Sequence, residues 1–418
     1  MRFEADGKKT MTMVKPLEGL KILDLSRHMS GPYASSLLTD YGAEVIKVES
    51  AGSGDPSRKT GSAMQGDQNA LYLMWNRGKR SIALDLRKPE AVEAVRKLAQ
   101  ESDVFLENYR PGVAEQIGLG YEVLRKLNPR LIYISVSGFG EGMLEDWPAT
   151  DPVVQAMSGV MSLTGELGGP PLLVGVPIAD FAGAMQAIQA MLIGVLAREK
   201  TGEGQHIEVS MMAALMASLT TRLAMYWATG EEPQRLGGSH SAVAPYNVFA
   251  TKDGYMVAGV WGAGENWPKF CEAIERLDLV DDPRFVNNAE RVKHRDILNP
   301  LIESITRTRT TADWETRFRA QHVLFGPVLS LKELMVHPHV LQKGMVRKVM
   351  TPTAGEISML APTLLLSETP GEIAGPPPRL GEHTEAILTE AGYSKESIAA
   401  LVASGAAEVA PPVPAAGS

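Results

Sequence analysis

The chain has 418 residues, which is too long for one ordinary domain and predicts two or three folded units. A hydrophobic content of 44% and a charged content of 22% are typical of a soluble globular protein with a sizeable core. The net charge of −8 argues against general affinity for nucleic acid or for an anionic membrane surface. The single cysteine, Cys271, excludes an internal disulfide and favours a reducing, cytoplasmic location.

The first half of the chain alternates strand and helix patterns. Helices are predicted at 31–43 and 89–100, and strands at 21–26, 43–49, 81–86, 103–108 and 131–137. Strands separated by helices of this length indicate βαβ units and a parallel sheet, so we predict an α/β, doubly wound, Rossmann-like large domain. The loop after the first strand, SRHMSGPY, lacks the G-x-G-x-x-G pattern of dinucleotide-binding proteins, which disfavours a nicotinamide enzyme.

The second half has a different character. A hairpin is predicted at 246–260, followed by three helical segments that are typical of a smaller α+β domain. From about residue 326 the sequence pattern again resembles that of the first half, and the chain ends in two short predicted helices. The predicted division is a flexible N-terminal extension (1–15), the first part of the large domain (16–222), a linker (223–239), a small α+β domain (240–325), a return to the large domain (326–403) and a disordered tail (404–418).

Three features carry alternative interpretations from composition alone. The longest apolar run, 181–197, contains Gln186 and Gln189, so it predicts a buried helix and not a membrane span. Asp180 lies just before this run, where a helix should begin, and composition favours a helix N-cap. The pair His337 and His339 flanks a proline with no acidic partner nearby, so we predict no metal site.

Six segments resemble, in order, the class III CoA transferases, a family that also includes the α-methylacyl-CoA racemases. The segments are LEGLKILDLSRHMSGPYASSLLTDYGAEVIKVE, MWNRGKRSIALDL, LENYRPGVAEQIGLGYEVLRKLNPRLIYISVSGFG, TGEGQHIEVSM, APYNVFATKDG and LGEHTEAIL. The similarity runs from about Pro16 to Ala403. It implies a large domain built from both chain ends, a small domain from the middle, and two interlocked subunits, either a homodimer or a pair with a related subunit.

The resemblance also implies the chemistry. Asp180 matches the family's nucleophile, which would attack a thioester carbonyl to give a mixed anhydride and then an aspartyl–CoA thioester. The substrates would be an acyl-CoA and a carboxylic acid, with no tightly bound cofactor and no metal. Succinyl-CoA as donor, with a dicarboxylic or aryl acid as acceptor, is expected from the frequency of such substrates in the family.

The family's CoA contacts map onto several positions of this chain, namely Arg27, His28, Met29, Lys79, Asn108, Tyr109 and Arg110. Two arginines of formyl-CoA transferase are Ser50 and Gln116 here, so Arg27 or Arg110 would have to supply those phosphate contacts. A loop containing Gly259, Gly262 and Gly264 would close over the nucleophile, although an ordinary strand-to-helix turn is an equal interpretation.

Two other functions are weighed against transfer. The related racemases use a histidine and an aspartate in a segment like GHDINY, whereas this chain reads ATDPVV, with Thr150 in place of the histidine. Threonine does not act as a proton base near neutral pH, so the transferase is favoured over an α-methylacyl-CoA racemase or epimerase. A CoA-binding protein without activity is the remaining alternative, because a fold does not guarantee an activity.

Overall fold

The structure is a computed structural model and describes residues 2–3, 9–10, 14–262 and 265–413. The chain divides into two compact units. The first unit comprises Met1–Val160, Val174–Thr221 and Lys343–Ser418, and the second comprises Met161–Leu173 and Arg222–Gln342. The first unit is therefore discontinuous and takes its residues from both ends of the chain.

The elements before the middle of the chain alternate between strands and helices. The strands are β1 (Arg2–Phe3), β2 (Lys9–Thr10), β3 (Lys21–Asp24), β4 (Glu44–Ser50), β5 (Met64–Gln65), β6 (Gln68–Asn69), β7 (Arg80–Leu84), β8 (Val104–Glu107), β9 (Ile132–Ser137) and β10 (His206–Ser210). The helices are α1 (Ser30–Thr39), α2 (Ala70–Trp75), α3 (Pro89–Gln100), α4 (Val113–Gln116), α5 (Tyr121–Leu127), α6 (Asp151–Met157), α7 (Val160–Leu163), α8 (Ile178–Thr201), α9 (Met211–Met216) and α10 (Thr220–Thr229).

The remaining elements follow in two groups. The middle of the chain forms β11 (Tyr246–Ala250), β12 (Tyr255–Gly259), α11 (Asn266–Ala273), α12 (Asn288–Lys293), α13 (Arg295–Thr306), α14 (Thr311–Ala320), β13 (Leu324–Pro327), α15 (Leu331–Val336) and α16 (Pro338–Lys343). The C-terminal part forms β14 (Val346–Thr351), β15 (Gly355–Leu360), α17 (Thr384–Glu390), α18 (Lys395–Ala403) and β16 (Ala407–Glu408). Short 3-10 turns occur at Pro56–Arg58, Ala217–Leu219 and Leu277–Leu279.

A seven-stranded sheet forms the centre of the first unit, in the order β10–β9–β8–β3–β4–β7–β16. Every neighbouring pair is parallel except β16 with β7. This confirms the predicted α/β class with a mostly parallel sheet. The chain proceeds from β3 outward through β4 and β7 on one side, and through β8, β9 and β10 on the other. The order therefore reverses between β3 and β8, and ligands bind at such a switch point in open α/β sheets.

Helices cover both faces of this sheet, which explains why its strands are apolar almost throughout. Successive residues point to opposite faces, so Leu23 packs with α3 and α17 whereas Ile22 packs with α1 and α8. Apolar side chains along the helices complete the two cores, with Val95, Leu98, Ile387 and Leu388 on one face and Leu38, Ala184, Ala187 and Met191 on the other. This burial on both faces fixes the register of the strands whose loops form the switch point.

Helix α8 is the longest helix in the described part of the chain and lies close to β9. A side chain at Gly194 would place its Cβ only 2.7 Å from Ile132 Cγ2, so glycine permits this approach. Because α8 connects two parallel strands, it begins at the edge where β9 ends. It is the one helix among the described residues that is long and apolar enough to cross a membrane, a test that core helices of soluble proteins also pass. It extends the run predicted at 181–197 by a few residues on each side.

The second unit contains a three-stranded antiparallel sheet, β11–β12–β13. The predicted hairpin is present, with Tyr246 opposite Gly259. Its core includes Phe249, Phe270, Trp314 and Phe318, all buried. The predicted linker at 223–239 is helical in its first part, because α10 extends to Thr229. The small domain is predicted to end at residue 325, but its sheet continues through β13 to Pro327.

The C-terminal tail differs from its prediction. Disorder is predicted for residues 404–418, but Ala406 and Ala407 are buried and β16 pairs with β7. The Asp85 backbone N–H also donates a 2.9 Å hydrogen bond to the carbonyl of Ala406. The Pro/Ala composition of the tail conceals this strand because its partner is more than 300 residues away in sequence. The predicted N-terminal extension and the last five residues lie largely outside the described residues.

A chain that ends at Ala403 should be less stable than the full protein, because β7 loses its edge partner and two buried alanines. We expect a lower Tm and faster amide hydrogen exchange in β7. A chain that ends at Val413 is the matched control and should match the full protein in both measurements. Equal Tm values for all three chains would show that β16 contributes nothing to stability.

Candidate active site

The switch point of the sheet opens into a cavity of about 390 Å³ in the first unit. Two loops form one wall, the loop of Arg27 to Met29 after β3 and the loop of Asn108 to Arg110 after β8. The start of α8 adds Asp180 to the same cavity. Six of the predicted site residues line it: His28, Met29, Asn108, Tyr109, Arg110 and Asp180. The structure therefore brings the predicted nucleophile together with most of the predicted CoA contacts.

The two loops are joined by one side chain. The Asn108 side-chain oxygen accepts a 2.7 Å hydrogen bond from the Arg27 backbone N–H, and its amide nitrogen donates to the Arg27 carbonyl oxygen at 2.8 Å. The Arg27 guanidinium lies 4.8 Å from the centre of the Tyr109 ring, within cation–π range. Asn108 therefore holds the wall of the cavity together, a role that requires both halves of its amide.

The next residue, His28, has a backbone conformation that is rare for residues other than glycine. Its φ is 62°, in the left-handed region. The His28 backbone N–H donates a 3.2 Å hydrogen bond to the Asp55 carboxylate, which also accepts from the Ser57 backbone at 2.8 Å. This strained loop is thus tied to a buried anion, and its exposed imidazole lies on the cavity wall.

A set of buried ionised side chains lies behind this wall. This buried charge network consists of three acids and three bases: Asp24, Glu49, Asp55, Lys47, Arg58 and Lys79. Lys47 pairs with Asp55 at 2.9 Å and donates to the Ser26 carbonyl at 2.8 Å. Arg58 forms a two-pronged pair with Glu49, with both distances 2.7 Å. The acids and bases balance in number, so each buried charge has an opposite neighbour.

Lys79 belongs to this network, which contradicts its predicted contact with a phosphate or the adenine of CoA. Its side chain is fully buried, and its ammonium donates to Asp24 Oδ2 at 2.8 Å, to the Pro32 carbonyl at 2.8 Å and to Asn76 Oδ1 at 3.0 Å. An ammonium has three donors, so none is left for a phosphate. Burial alone would raise the pKa of Asp24, but the charges of Lys79 and Lys47 lower it below its usual range.

The nucleophile candidate, Asp180, does not cap its helix. Helix α8 begins at Ile178 with Pro177 as its N-cap residue, so Asp180 is the third helical residue. Its partly buried carboxylate accepts no hydrogen bond from any described residue. Burial, together with the negative charge of Asp151, raises its pKa to about 6. The composition-based N-cap interpretation is therefore wrong, and Asp180 lines the cavity with its carboxylate unengaged by the described residues.

The residue that does engage the start of α8 is Asp151, which no sequence pattern singled out for this role. Asp151 Oδ1 accepts hydrogen bonds from the backbone N–H groups of Ala179 at 2.7 Å and Asp180 at 3.4 Å. Gln155, one turn along α6, donates to Asp151 Oδ2 at 2.7 Å. The i, i+4 spacing of Asp and Gln after Thr150 is a signal for this pair, but it does not identify the distant amides that Asp151 binds.

A second cavity of about 560 Å³ adjoins the first through Tyr109, which lines both. Its wall includes Arg27, Arg87 and the segment Ser50–Ser53. Arg87 pairs with Asp85 at 2.8 Å, whereas the Arg27 guanidinium has no acidic partner among the described residues. The Gly52 backbone N–H donates a hydrogen bond to the Glu408 carboxylate of β16, so the C-terminal strand supports this segment.

The predicted loop of glycines belongs to the second unit. Gly259 ends β12, where a side chain would place Cβ 2.8 Å from the Tyr246 ring, and Gly262 has a φ of +89°. Gly264 lies outside the described residues. Closure of this loop over the nucleophile stays a prediction. Within the described residues, no group of three or more His, Cys, Asp or Glu is arranged to hold a metal ion.

Comparison with known proteins identifies the family. The model of CoA-transferase family III matches residues 17–384, so the chain belongs to this family and is a CoA transferase. It is 38% identical over 397 residues to succinyl-CoA:glutarate CoA-transferase of Mus musculus, covering 94% of this chain and 91% of that protein. It is 36% identical to succinate–glutarate CoA-transferase of Agrobacterium fabrum, covering 90% and 95%.

The fold agrees with this assignment. A CAIB/BAIF family protein from Brucella suis has a solved structure that matches with a TM-score of 0.81 and 33% identity, covering 90% of this chain and 99% of that one. The resemblance inferred from the six sequence segments is thus confirmed.

Replacement of Lys79 by methionine should destabilise the protein without weakening CoA binding. The change leaves Asp24 buried without its partner, and removal of one member of a buried pair costs about 3–5 kcal/mol. We expect a large drop in the free energy of unfolding, with an unchanged KM for acyl-CoA in the folded fraction. Lys126→Met, at an exposed position on α5, is the control. An increase in KM without a loss of stability would restore Lys79 to the CoA site.

Proposed function

We propose that this enzyme transfers CoA from succinyl-CoA to a short dicarboxylic acid such as glutarate, with Asp180 as a covalent nucleophile. The observation that carries the proposal is the position of Asp180, whose carboxylate lies in the cavity at the switch point and accepts no hydrogen bond from the described residues. A carboxylate that has a raised pKa and accepts no hydrogen bond from the surrounding described residues is suited to attack an electrophile. The names of the mouse and Agrobacterium relatives support the choice of substrates.

The reaction proceeds in four exchanges without a net proton transfer. The Asp180 carboxylate attacks the acyl-CoA carbonyl, the carbon–sulfur bond breaks, and the CoA thiolate leaves a mixed anhydride. The thiolate then attacks the Asp180 carbonyl of the anhydride and releases the donor acid, which gives an aspartyl–CoA thioester. The acceptor carboxylate attacks this thioester and forms a second anhydride with release of thiolate. Attack by the thiolate on the acceptor carbonyl gives the new acyl-CoA and frees Asp180.

The two adjoining cavities suggest how CoA would lie. In this proposal the thioester end occupies the cavity with Asp180, and the nucleotide end occupies the larger cavity beside Arg27. The guanidinium groups of Arg27 and Arg110 are exposed at these cavities and provide the positive charge that phosphates need. Tyr109 lies between the two ends, and the Tyr109 backbone N–H is held at 2.7 Å by Glu107 Oε2.

Racemisation is less compatible with the same cavity. Thr150, which replaces the histidine of the related racemases, is part of the cavity wall near Asp180. A threonine hydroxyl does not act as the base that removes an α-proton at neutral pH. The proposal therefore predicts CoA exchange without deuterium uptake at the α-carbon.

Hydroxylamine should trap an acyl-enzyme at Asp180. Anhydrides and thioesters react with hydroxylamine, whereas a resting carboxylate does not, so incubation with succinyl-CoA should give an Asp180 hydroxamate. Mass spectrometry of the peptide that ends at Arg198 measures this change. Asp180→Asn should show no label and no turnover, and Asp67→Asn, an exposed position, should behave as the native enzyme. Turnover with a fully observed, unlabelled peptide would refute covalent catalysis.

The acceptor preference is open to direct measurement. With succinyl-CoA as donor, we expect glutarate and other dicarboxylates of four to six carbons to be converted faster than monocarboxylates of the same length. Mass spectrometry of the acyl-CoA products from an equimolar mixture of acids gives the ranking. Preference for a monocarboxylic or aryl acid would overturn the proposed substrate class while leaving the transferase chemistry intact.

We also propose that the active form is an interlocked dimer, as the resemblance to the family implies. Helix α8 supports association because it exposes apolar side chains beyond its packed face, with Ile193 61% and Leu196 58% exposed. Exposed leucines follow β15 as well, at Leu364 and Leu365. An interface that buried these groups would remove them from water.

A threaded dimer should not separate on simple dilution, because separation requires unfolding. Light scattering from micromolar to nanomolar concentration should show one species of twice the chain mass. Ile193→Asp should reduce assembly and stability together, whereas Lys126→Met should affect neither. A folded monomer at micromolar concentration would contradict interlocking.

A further inference from the structure

We infer that Asp151, oriented by Gln155, is a positioning residue for Asp180: it holds the first turn of α8 through two backbone amides and places a second negative charge beside the nucleophile. This inference rests on the proposed role of Asp180. It concerns a residue on another helix, α6, whose side chain does not itself react.

The two oxygens of the Asp151 carboxylate accept hydrogen bonds from different helices. One oxygen accepts from Ala179 and Asp180 of α8, at 2.7 Å and 3.4 Å, and the other accepts from Gln155 at 2.7 Å. The first amides of a helix have no partner within the helix and attract anions. Because Asp151 occupies these amides, they are not free to bind the Asp180 carboxylate, which stays available to the cavity.

The orientation of Gln155 is determined by its surroundings. Its side-chain oxygen accepts a 2.9 Å hydrogen bond from the Val174 backbone N–H, so its amide nitrogen must face Asp151. The same nitrogen lies 3.4 Å from the Val176 carbonyl. Gln155 therefore links the segment just before α8 to Asp151. Together, the side chains of Gln155 and Asp151 hold both this segment and the first turn of α8. Gln155 is buried, which makes the loss of either bond costly.

The second effect of Asp151 is electrostatic. Burial disfavours the ionised form of Asp180, and the negative charge of Asp151 acts in the same direction, so the pKa of Asp180 is raised to about 6. His28, Arg110 and Glu145 also carry titratable or charged groups on the walls of this cavity, but burial and Asp151 are the causes of the shift. A more basic carboxylate is a better nucleophile, provided that the pH is above its pKa.

A pair of substitutions separates the hydrogen bonds from the charge. Asp151→Asn removes the charge, but the new side-chain amide at position 151 then meets the amide of Gln155, donor against donor. Adding Gln155→Glu restores the bonds to Ala179 and Val174, because the new carboxylate at position 155 accepts from Val174 and from the amide at position 151. The negative charge then lies one side chain farther from α8. The measurements are Tm and the pH dependence of kcat and KM for transfer from succinyl-CoA, with Asp67→Asn as control.

Loss of the Asp151 charge lowers the pKa of Asp180, so the acid limb of the kcat profile should move down by about 1 pH unit. We expect Asp151→Asn to lower kcat about tenfold at pH 8, with KM for succinyl-CoA unchanged, and to lower Tm. The double variant should recover part of the lost Tm, because its carboxylate at position 155 cannot donate to the Val176 carbonyl, and its acid limb should stay below that of the native enzyme. A native acid limb in either variant would overturn the inference.

These experiments distinguish a failure of the proposed function from a failure of the inference about Asp151. If the native enzyme turns over without hydroxylamine labelling at Asp180, the nucleophile assignment fails. If Asp180 is labelled but the acid limb does not move in the variants, the nucleophile assignment stands and only the positioning role of Asp151 fails.

Discussion

The pairing of buried charges behind the cavity is the constraint on which the rest of the site depends. Lys47 lies between the carboxylates of Asp24 and Asp55, and Asp55 in turn holds the His28 backbone in its left-handed conformation. An unpaired charge at this depth would be strongly destabilising, so each member fixes its neighbours. Buried ion pairs and hydrogen bonds therefore help to position the loop after β3. This loop lies at the edge of the sheet where the strand order reverses.

Asp180, at the start of α8, has surroundings unlike those of the paired charges. Asp180 has no cation beside it in the described structure, and burial and a like charge both disfavour its ionised form. Buried cations thus favour the ionised forms of Asp24, Glu49 and Asp55, whereas Asp180, the proposed nucleophile, has no such support among the described residues. This division is typical of active sites, where stability is given up locally so that a group remains reactive. Farther along α8, Gly194 packs closely on Ile132, so the helix has contacts with the sheet beyond its first turn.

The sequence predicts what depends on local pattern and misses what depends on distant partners. The strands around Leu23 and Phe105 are predicted because apolar runs bounded by turns identify buried strands. Asp180 is predicted as a nucleophile only through the family resemblance, since local pattern alone favours a cap, and this role stays a prediction. The prediction for Lys79 is wrong because its partner, Asp24, is 55 residues away and no periodicity connects them. The strand at Ala407 is missed for the same reason, as its composition describes a tail and only β7 makes it a strand.

The ties between the chain ends set the order in which the enzyme can be completed. The Gly52 segment that forms part of the larger cavity is supported by Glu408, and the first unit needs Lys343–Ser418 to be whole. During synthesis the early strands therefore emerge long before the residues that finish their sheet, and the second unit is made in between. The nascent β7 exposes an unpaired edge throughout that interval, which is a hazard for aggregation. A chain released before Glu408 is made would contain Asp180 but would lack the hydrogen bond that supports the Gly52 segment of the larger cavity.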